Sequence, residues 1–252
     1  MIRNFLLLFL FTVSTSICAG QFSVKDTTLR MSLFQFQGGY HGTGGDMGEL
    51  YGGHAFVGFS YAYKSATNIL LGVEGNFLFG NSVKNEDQVM SGIRNSAGGI
   101  VGIEGEFVNA LISMRGYTAG FYVGKIWPIF GPNPNSGLVA KLGVSYMEHR
   151  TYIEARQDDI PPIEGEYKKG YDRKRAGISL NQFVGYQHFS NSRFANFYVG
   201  LDIYQGFTTD YRSYNFDDMA PTNGDYFDTM IGFKVGWVLP VYKRVADKFY
   251  ID

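Results

Sequence analysis

Apolar and polar residues alternate along most of the chain, in short runs separated by breaks rich in glycine, asparagine and aspartate. The clearest run extends from His54 to Tyr63. Its odd-numbered positions from Ala55 onward are apolar or aromatic, and the residues between them are mostly small. Because successive side chains of a β-strand point to opposite faces, this alternation predicts strands with one large apolar face and one small or polar face.

Eight segments of this kind predict eight strands. They are Leu29–Tyr40, His54–Tyr63, Ile69–Asn81, Ser113–Ile126, Leu138–Glu154, Ile178–Phe189, Asn196–Thr208 and Tyr226–Val241. The first segment is irregular, since Phe34 and Phe36 change the apolar parity of the residues before them, and a β-bulge would explain that change.

The breaks between the predicted strands alternate in length. The short ones are Lys64–Asn68, Phe130–Gly137 and Ser190–Ala195. The long ones are His41–Gly53, Ser82–Ile112, Ala155–Gly177 and Thr209–Asp225. An even number of antiparallel strands with short periplasmic turns and long extracellular loops is typical of outer-membrane barrels. The pattern therefore predicts an all-β fold, an eight-stranded antiparallel transmembrane β-barrel, with a soluble sheet as the alternative.

Composition and charge agree with this prediction. The chain has 33 glycines, 17% aromatic and 18% charged residues, whereas soluble domains average about 25% charged residues and about 7% glycine. Aromatic residues concentrate at membrane interfaces, and Trp127 and Trp237, both near predicted strand ends, are expected there. The formal net charge of -1 argues against a nucleic-acid partner, because neutralising phosphates requires a basic surface.

The first twenty residues are typical of an export signal. Arg3 precedes the apolar run Phe5–Val13, which is shorter than the roughly 20 residues of a membrane helix. We expect cleavage after Gly20, which removes the single cysteine, Cys18. Acylation of Cys18 as a lipoprotein is the weaker alternative, since Ile17 stands where a small residue is expected. Residues 21–252 then form one barrel domain in the outer membrane.

Single charged residues lie on the small, polar faces of several predicted strands. They are Arg30, Glu74, Lys141, Asp202 and Lys234. Since the interior of an eight-stranded barrel is only wide enough for its own side chains, and buried charges must be paired, we predict that these five form ion pairs in a closed lumen. In a soluble sheet they would instead be ordinary solvated residues.

Catalytic chemistry is weakly represented. His41 and His54 flank the first long break, with Asp46, Glu49 and Ser60 nearby, but no motif fixes a catalytic geometry among them. Neither the histidines nor the acids have the spacing of a metal site. We therefore predict no catalytic residue, no metal and no cofactor.

The third long break has an acidic half followed by a basic half. Its cations would suit the phosphates of lipopolysaccharide. Alternatively, the two halves pair with each other across a solvated hairpin.

Two stretches carry a family resemblance. Arg115–Tyr117 and Gly124–Pro128, followed by the turn Gly131–Gly137, resemble a strand–turn segment of small outer-membrane β-barrels of the OmpA and OmpX types and of porin-like Bacteroidetes barrels. The closing Gly236–Lys243 is similar to their last strand, although a tail, Lys243–Asp252, follows it here.

The resemblance implies a structural or protein-interaction component of the outer membrane, with the accessory subunit of an assembly or secretion complex as one such role. Its partners would be outer-membrane lipid, lipopolysaccharide and other outer-membrane proteins. A narrow pore for small solutes and a lipid-modifying barrel enzyme are the alternatives.

Overall fold

A computed structural model describes residues 27–84, 86–89, 100–101, 107–108, 110–155, 167–190, 194–216 and 219–242. The predicted signal segment 1–20 lies outside the described residues. The principal strands are β1 (Met31–Gly44), β2 (His54–Lys64), β3 (Ile69–Gly80), β4 (Ala110–Trp127), β5 (Gly137–Ala155), β6 (Arg175–His188), β7 (Phe197–Asp210) and β8 (Asp225–Val241).

Smaller elements occupy the long loops. They are helix α1 (Gly45–Leu50), helix α2 (Glu86–Val89), a 3-10 turn (Tyr167–Gly170) and two hairpins of two-residue strands, Ile100–Val101 with Phe107–Val108 and Tyr214–Asn215 with Ala220–Pro221.

The eight principal strands form a closed barrel in which each strand pairs antiparallel with its neighbours in the chain and β1 pairs with β8. Starting at Ser32 and following paired residues once around the ring leads back to β1 at Gly42, ten residues further along. This stagger tilts the strands by roughly 35–45° from the barrel axis. The prediction of an eight-stranded antiparallel barrel is confirmed.

The β-bulge expected in the first strand is absent. Ser32 through Gly44 pair with β8 without any offset, and the pairing with β2 is equally regular. Met31 and Leu33 point into the barrel, whereas Phe34 and Phe36 point outward. Near the beginning of β1 the barrel interior is apolar, so Met31 and Leu33 face inward while Phe34 and Phe36 face outward. Further along β1 the inward residues are polar. The apolar parity of the sequence therefore changes although the strand is continuous.

An apolar band surrounds the outside of the barrel. Each strand contributes exposed apolar residues, for example Phe36, Phe59, Val73, Phe121, Leu142, Val184, Leu201 and Phe233, one from each of β1 to β8. Water-soluble monomers rarely expose contiguous apolar patches larger than a few hundred Å². A band that closes around the whole barrel is therefore suited to hydrocarbon.

The band ends where β4 and β5 continue beyond it on the side of the long loops, here called the loop end. The hydroxyls of Tyr117 and Tyr146 both donate to Glu148, at 3.1 and 3.3 Å. Beyond them the outward positions become charged, with Arg115 on β4 and Arg150 on β5. The beginning of β4 and the end of β5 thus project from the band into a polar environment.

The interior has three layers. An apolar cluster around Leu33, Leu70 and Ile126 fills the opposite end, here called the short-turn end. A second cluster at the loop end includes Met47 and Leu50 of α1, which are buried against Phe56 and Met230. Between the two clusters lies a belt of polar and charged side chains, so α1 acts as a lid over that belt.

Close packing in the interior predicts a cost for enlarging Gly236. A Cβ atom at this position would lie 2.3 Å from the ring of Tyr198, which cannot easily move because its hydroxyl donates to Gln37 at 2.5 Å. We expect Gly236→Val to lower the free energy of unfolding by about 1–3 kcal/mol, measured by urea titration of the barrel in detergent. Gly75→Val is the control, because its Cβ would meet nothing nearer than 3.9 Å; equal effects of the two substitutions would contradict the packing described.

Candidate functional site: the sealed interior

Three of the charged residues predicted for the interior form a buried ion cluster. The Lys234 ammonium lies 2.7 Å from a carboxylate oxygen of Asp202 and 3.5 Å from one of Glu74. All three side chains are almost completely buried. They come from β8, β7 and β3, whose inward-facing positions at this height meet across the narrow barrel. One cation thereby bridges two carboxylates.

Lys141 of β5 completes the charged part of the belt in a different manner. Its ammonium lies over the rings of Tyr198, Tyr122 and Phe183, at 4.2, 4.9 and 5.1 Å from the ring centroids. Cation–π attraction of this kind stabilises a desolvated ammonium. An aromatic cage therefore surrounds this buried cation.

Neutral polar side chains surround the cluster and bind one oxygen of Glu74. Asn181 donates to Glu74 at 3.0 Å, and Tyr204 donates to the same oxygen at 2.9 Å. Gln37 donates to Asn76 at 2.6 Å. Buried polar networks stabilise a fold only when their members are hydrogen-bonded, and these contacts link β1, β3, β6 and β7 across the lumen.

The structure separates Arg30 from the other four predicted residues. Arg30 precedes β1 and is exposed, because its even-numbered position has the parity of the outward-facing Phe34 and Phe36. The expectation that Arg30 joins the lumen is therefore corrected. The neutral members of the belt, such as Gln37 and Asn181, were missed because only charged residues were considered, although the same inward parity identifies them.

Histidines form a second buried polar group, between the belt and the lid. His41 lies 3.3 Å from Asp202, and His149 lies 2.8 Å from Asp228. The ring of His54 is 5.4 Å from that of His41. Both nitrogens of His54 are buried and make no hydrogen bond within the described part of the chain.

The residues considered for catalysis do not assemble around these histidines. Asp46 accepts a hydrogen bond from the backbone of Phe227 at 2.7 Å, Glu49 is exposed, and Ser60 bonds with Gln35 and Tyr122. Within the described ranges, no three histidines, cysteines or acids are arranged to hold a metal ion.

The lid itself is fixed by Tyr51, which follows α1. Burial raises the pKa of its phenol to about 12, so the hydroxyl keeps its proton and bonds with Thr151 at 2.9 Å. The histidine group therefore lies beneath a fixed cover.

The two tryptophans occupy the rim of the short-turn end. Trp127 is the last residue of β4 and is exposed. Trp237 is exposed on β8, where it stacks on Phe36 and donates from Nε1 to the carbonyl of Phe194 at 2.8 Å. Both indoles therefore lie near the short-turn edge of the apolar band, and their contact with a membrane interface stays a prediction.

Comparison with known proteins gives only distant similarities. No protein-family model matches the sequence, and no curated protein matches it significantly. Among solved structures, Neisserial surface protein A has 10% identity and a TM-score of 0.39, with 82% of this chain and 96% of that chain covered.

Two further structures resemble the chain to a similar extent. Ail, the attachment invasion locus protein of Yersinia pestis, has 11% identity and a TM-score of 0.37, covering 84% of this chain and 99% of that one. The outer membrane protein OprG from Pseudomonas aeruginosa has 9% identity and a TM-score of 0.35, covering 84% and 98%. Scores this low support no conclusion about function, and the barrel is established by the strand pairing of this chain.

Fold and surface together define the class of protein. Among the described residues, no helix is long and apolar enough to cross a membrane. The closed strand ring leaves no unpaired edge, its outside is apolar, and its inside contains a belt of polar and charged side chains, which is the architecture of outer-membrane β-barrels. The protein is a small barrel of the bacterial outer membrane, with its short turns, the beginning of β1 and the end of β8 on the periplasmic side.

Proposed function

We propose that the protein is a non-conducting, non-enzymatic barrel that holds an extracellular interaction surface in the outer membrane. The observation that carries this proposal is the filled interior. Two apolar clusters close the barrel at both ends, and the cluster of Lys234, Glu74 and Asp202 crosses the space between them. A solute would have to break all three layers in turn.

The third and fourth long loops support the idea of a rigid surface. Arg212 of the fourth loop forms a bidentate ion pair with Asp172 of the third, through Nε and Nη2. This carboxylate raises the pKa of the Arg212 guanidinium. Backbone hydrogen bonds from Tyr211 to Lys174 and from Phe216 to Gly170, at 2.9 and 3.0 Å, bind the same two loops.

The chemistry around this surface suggests its partners. Arg115 and Arg150 stand just beyond the tyrosines that end the apolar band, at the depth where the phosphates of lipopolysaccharide are expected. We therefore propose outer-membrane lipid and lipopolysaccharide as neighbours of the barrel. Other outer-membrane proteins would bind to the joined loops, as they would to an accessory subunit of an assembly or secretion complex.

We also propose that the protein belongs to the Bacteroidetes type of porin-like barrel. The proposal is supported by the strand–turn segment Gly124–Pro128 with Gly131–Gly137 and by the closing segment Gly236–Lys243.

Conductance measurements test the filled interior. In planar lipid bilayers, we expect the purified barrel to insert without uniform conductance steps, whereas a sixteen-stranded porin, whose wider barrel leaves an aqueous channel, gives steps in the same membrane. Insertion is verified by protease protection of the barrel in liposomes. Steps of constant size that increase in number with the amount of protein would contradict the proposal and favour the narrow pore.

Purification in mild detergent tests the interaction surface. We expect a partner protein to co-purify in fixed stoichiometry with the wild type and to be lost from Arg212→Gln, which breaks the contact with Asp172. Lys84→Gln, on another loop, is the matched control. Retention of the partner by both variants would contradict a role for the joined loops.

A further inference from the structure

A shallow depression lies on the outer wall of the barrel, where β3 pairs with β4. Gly75 of β3 and Ala119 of β4 are directly paired there, and because neither has a side chain larger than a methyl group, they form its floor. The large side chains of Phe59, Phe77 and Tyr117 stand around them. The volume of this hollow is about 520 Å³, and we call it the β3–β4 depression.

The β3–β4 depression is open towards the surroundings of the barrel. A Cβ atom on Gly75 would meet nothing nearer than the carbonyl oxygen of Thr118, at 3.9 Å. The exposed Val73 and Phe121 continue the apolar band directly below it. Its volume is within the roughly 300–1,000 Å³ of small-molecule sites, and its position in the apolar band suits an acyl chain.

Two arginines stand opposite each other above the β3–β4 depression. Arg115 of β4 is paired directly with Arg150 of β5 on the outside of the barrel. Their guanidinium carbons lie 5.8 and 5.9 Å from the centroid of the same ring, that of Tyr152. Like charges at directly opposite positions of a sheet are destabilising. Neither arginine forms an ion pair in the part of the chain that the structure describes, so an anion between them would stabilise the pair.

One acid lies close to this arginine pair, but both of its oxygens are already bound. Glu148 is two residues from Arg150 on the same face of β5. One of its oxygens accepts from the hydroxyls of Tyr117 and Tyr146, and the other lies 2.8 Å from the ammonium of Lys174. The charges of Glu148 and Lys174 offset each other, which leaves the two arginines. Arginine binds phosphate oxygens through two parallel N–H groups, so a phosphate is the anion that suits this pair.

The spacing between the arginines and the β3–β4 depression matches the dimensions of a membrane lipid. Arg115 and Ala119 are four residues apart on β4, which is about 13 Å along a strand and about 10 Å in depth for a strand tilted by roughly 40°. The headgroup layer on one side of a bilayer is about 5–8 Å thick. A phosphate held at the arginines therefore places the acyl chains of the same lipid at the height of the depression.

We infer that the outer face of β3, β4 and β5 binds one lipopolysaccharide molecule, with a phosphate of its lipid A between Arg115 and Arg150 and an acyl chain in the β3–β4 depression. The loop end is the extracellular side of the barrel, so the lipid is that of the outer leaflet. This inference rests on the proposed function and deepens it, because it assigns the lipid a defined site on the barrel wall.

The first test concerns the arginines. The full mature barrel in a neutral maltoside detergent is titrated with purified lipid A, and native mass spectrometry counts the lipids bound to each barrel. We expect one lipid A at saturation. Replacing both Arg115 and Arg150 by glutamine should weaken binding about tenfold or more, since charge-assisted hydrogen bonds are lost. Lys125→Gln, which removes a cation from the outward face of β4 at its other end, should bind as the wild type does.

The second test concerns the β3–β4 depression. Ala119→Leu puts a larger side chain on its floor and should weaken binding about fourfold for each methylene of the acyl chain that is displaced. Ala140→Leu is the matched control, because Ala140 is an outward residue of β5 outside the depression. Heat-modifiable gel mobility verifies that every variant is folded. Equal affinities of the two alanine variants would overturn the role of the depression.

Dephosphorylated lipid A tests whether the phosphate meets the arginines. The wild type should bind it about tenfold more weakly than lipid A, whereas the double arginine variant should bind both lipids equally, since the two changes remove the same contact. Equal binding of both lipids by the wild type, or no saturable binding, overturns the site.

Two further results would assign the surface to another occupant and overturn the inference. One is binding of phosphatidylglycerol as tight as that of lipid A. The other is a dimer of the barrel that lipid A does not dissociate and that Ala119→Leu abolishes. The conductance and co-purification experiments contain no lipid A, so the proposed closed barrel and its loop surface succeed or fail separately from this site.

Discussion

Lys234→Met is expected to lower the free energy of unfolding by about 3–5 kcal/mol, because removing one partner of a buried ion cluster leaves uncompensated charge. The ammonium of Lys234 bridges Asp202 and Glu74 in the centre of the lumen, and methionine has similar volume but no charge. The measurement is urea unfolding of the barrel in detergent, followed by tryptophan fluorescence.

Two further variants make this result specific. Lys125→Met removes a lysine from the outward face of β4, whose ammonium bonds only with the carbonyl of Thr67 at 2.7 Å among its described hydrogen bonds, and should cost less than about 1 kcal/mol. Combining Lys234→Met with Asp202→Asn should recover part of the lost stability, since the two sites are coupled. If both lysine variants lose the same stability, Lys234 is not part of a buried cluster.

Leu201→Arg is expected to destabilise the barrel by about 2–4 kcal/mol when it is folded into liposomes, the cost of a charge at the middle of the bilayer. Leu201 points outward from β7, where it lies opposite Phe233 and Val184 of the neighbouring strands. On a surface exposed to water, a substitution of this kind changes stability by only about 0.5 kcal/mol. A loss of about 2–4 kcal/mol would therefore indicate that hydrocarbon surrounds the barrel at Leu201.

Thr209→Arg is the matched control on the same face of the same strand. Thr209 is exposed near the loop end of β7, where an arginine should cost no more than about 1 kcal/mol. A larger loss of stability for Leu201→Arg than for Thr209→Arg supports the placement of the apolar band in the membrane. If the two substitutions have equal effects, the outward face of β7 is not in hydrocarbon.

The strands were predictable because a barrel wall imposes one physical rule on every residue. Alternate positions contact either hydrocarbon or the interior, so β2 and β7 were located from parity alone, and their ends differ little from the prediction. At the loop end β4 begins three residues before the predicted Ser113, at Ala110, and β5 ends one residue after the predicted Glu154, at Ala155. Beyond the membrane the rule no longer applies, and the pattern that defines a strand is lost.

The sequence predicts which charged residues face the interior, but it predicts less well which of them pair with each other. Glu74, Asp202 and Lys234 were identified as inward charges, and they lie together. Which carboxylate meets which ammonium depends on the stagger of the ring, a global property that local alternation does not contain. Arg30 is not in the lumen because the apolar Met31 and Leu33 face the interior, which is itself apolar at the short-turn end.

The alternation of apolar and polar residues does not predict the lid or the contact between the third and fourth loops. Met47 of α1 is buried by a loop that folds back into the barrel, and such a contact leaves no periodic signal. Arg212 and Asp172 are 40 residues apart in sequence, and local alternation does not indicate that their loops meet. The acidic half of the third loop lies largely outside the described residues, so its pairing with the basic half remains a prediction.

The pairing of β1 with β8 has a consequence for the biogenesis of the protein. β1 pairs with β2 on one edge, but its other edge pairs with β8, which is synthesised and exported after the other seven strands, so that edge stays unpaired until β8 arrives. Contacts between such distant segments form slowly, and the newly secreted polypeptide must therefore be protected from aggregation in the periplasm until its carboxyl-terminal strand arrives.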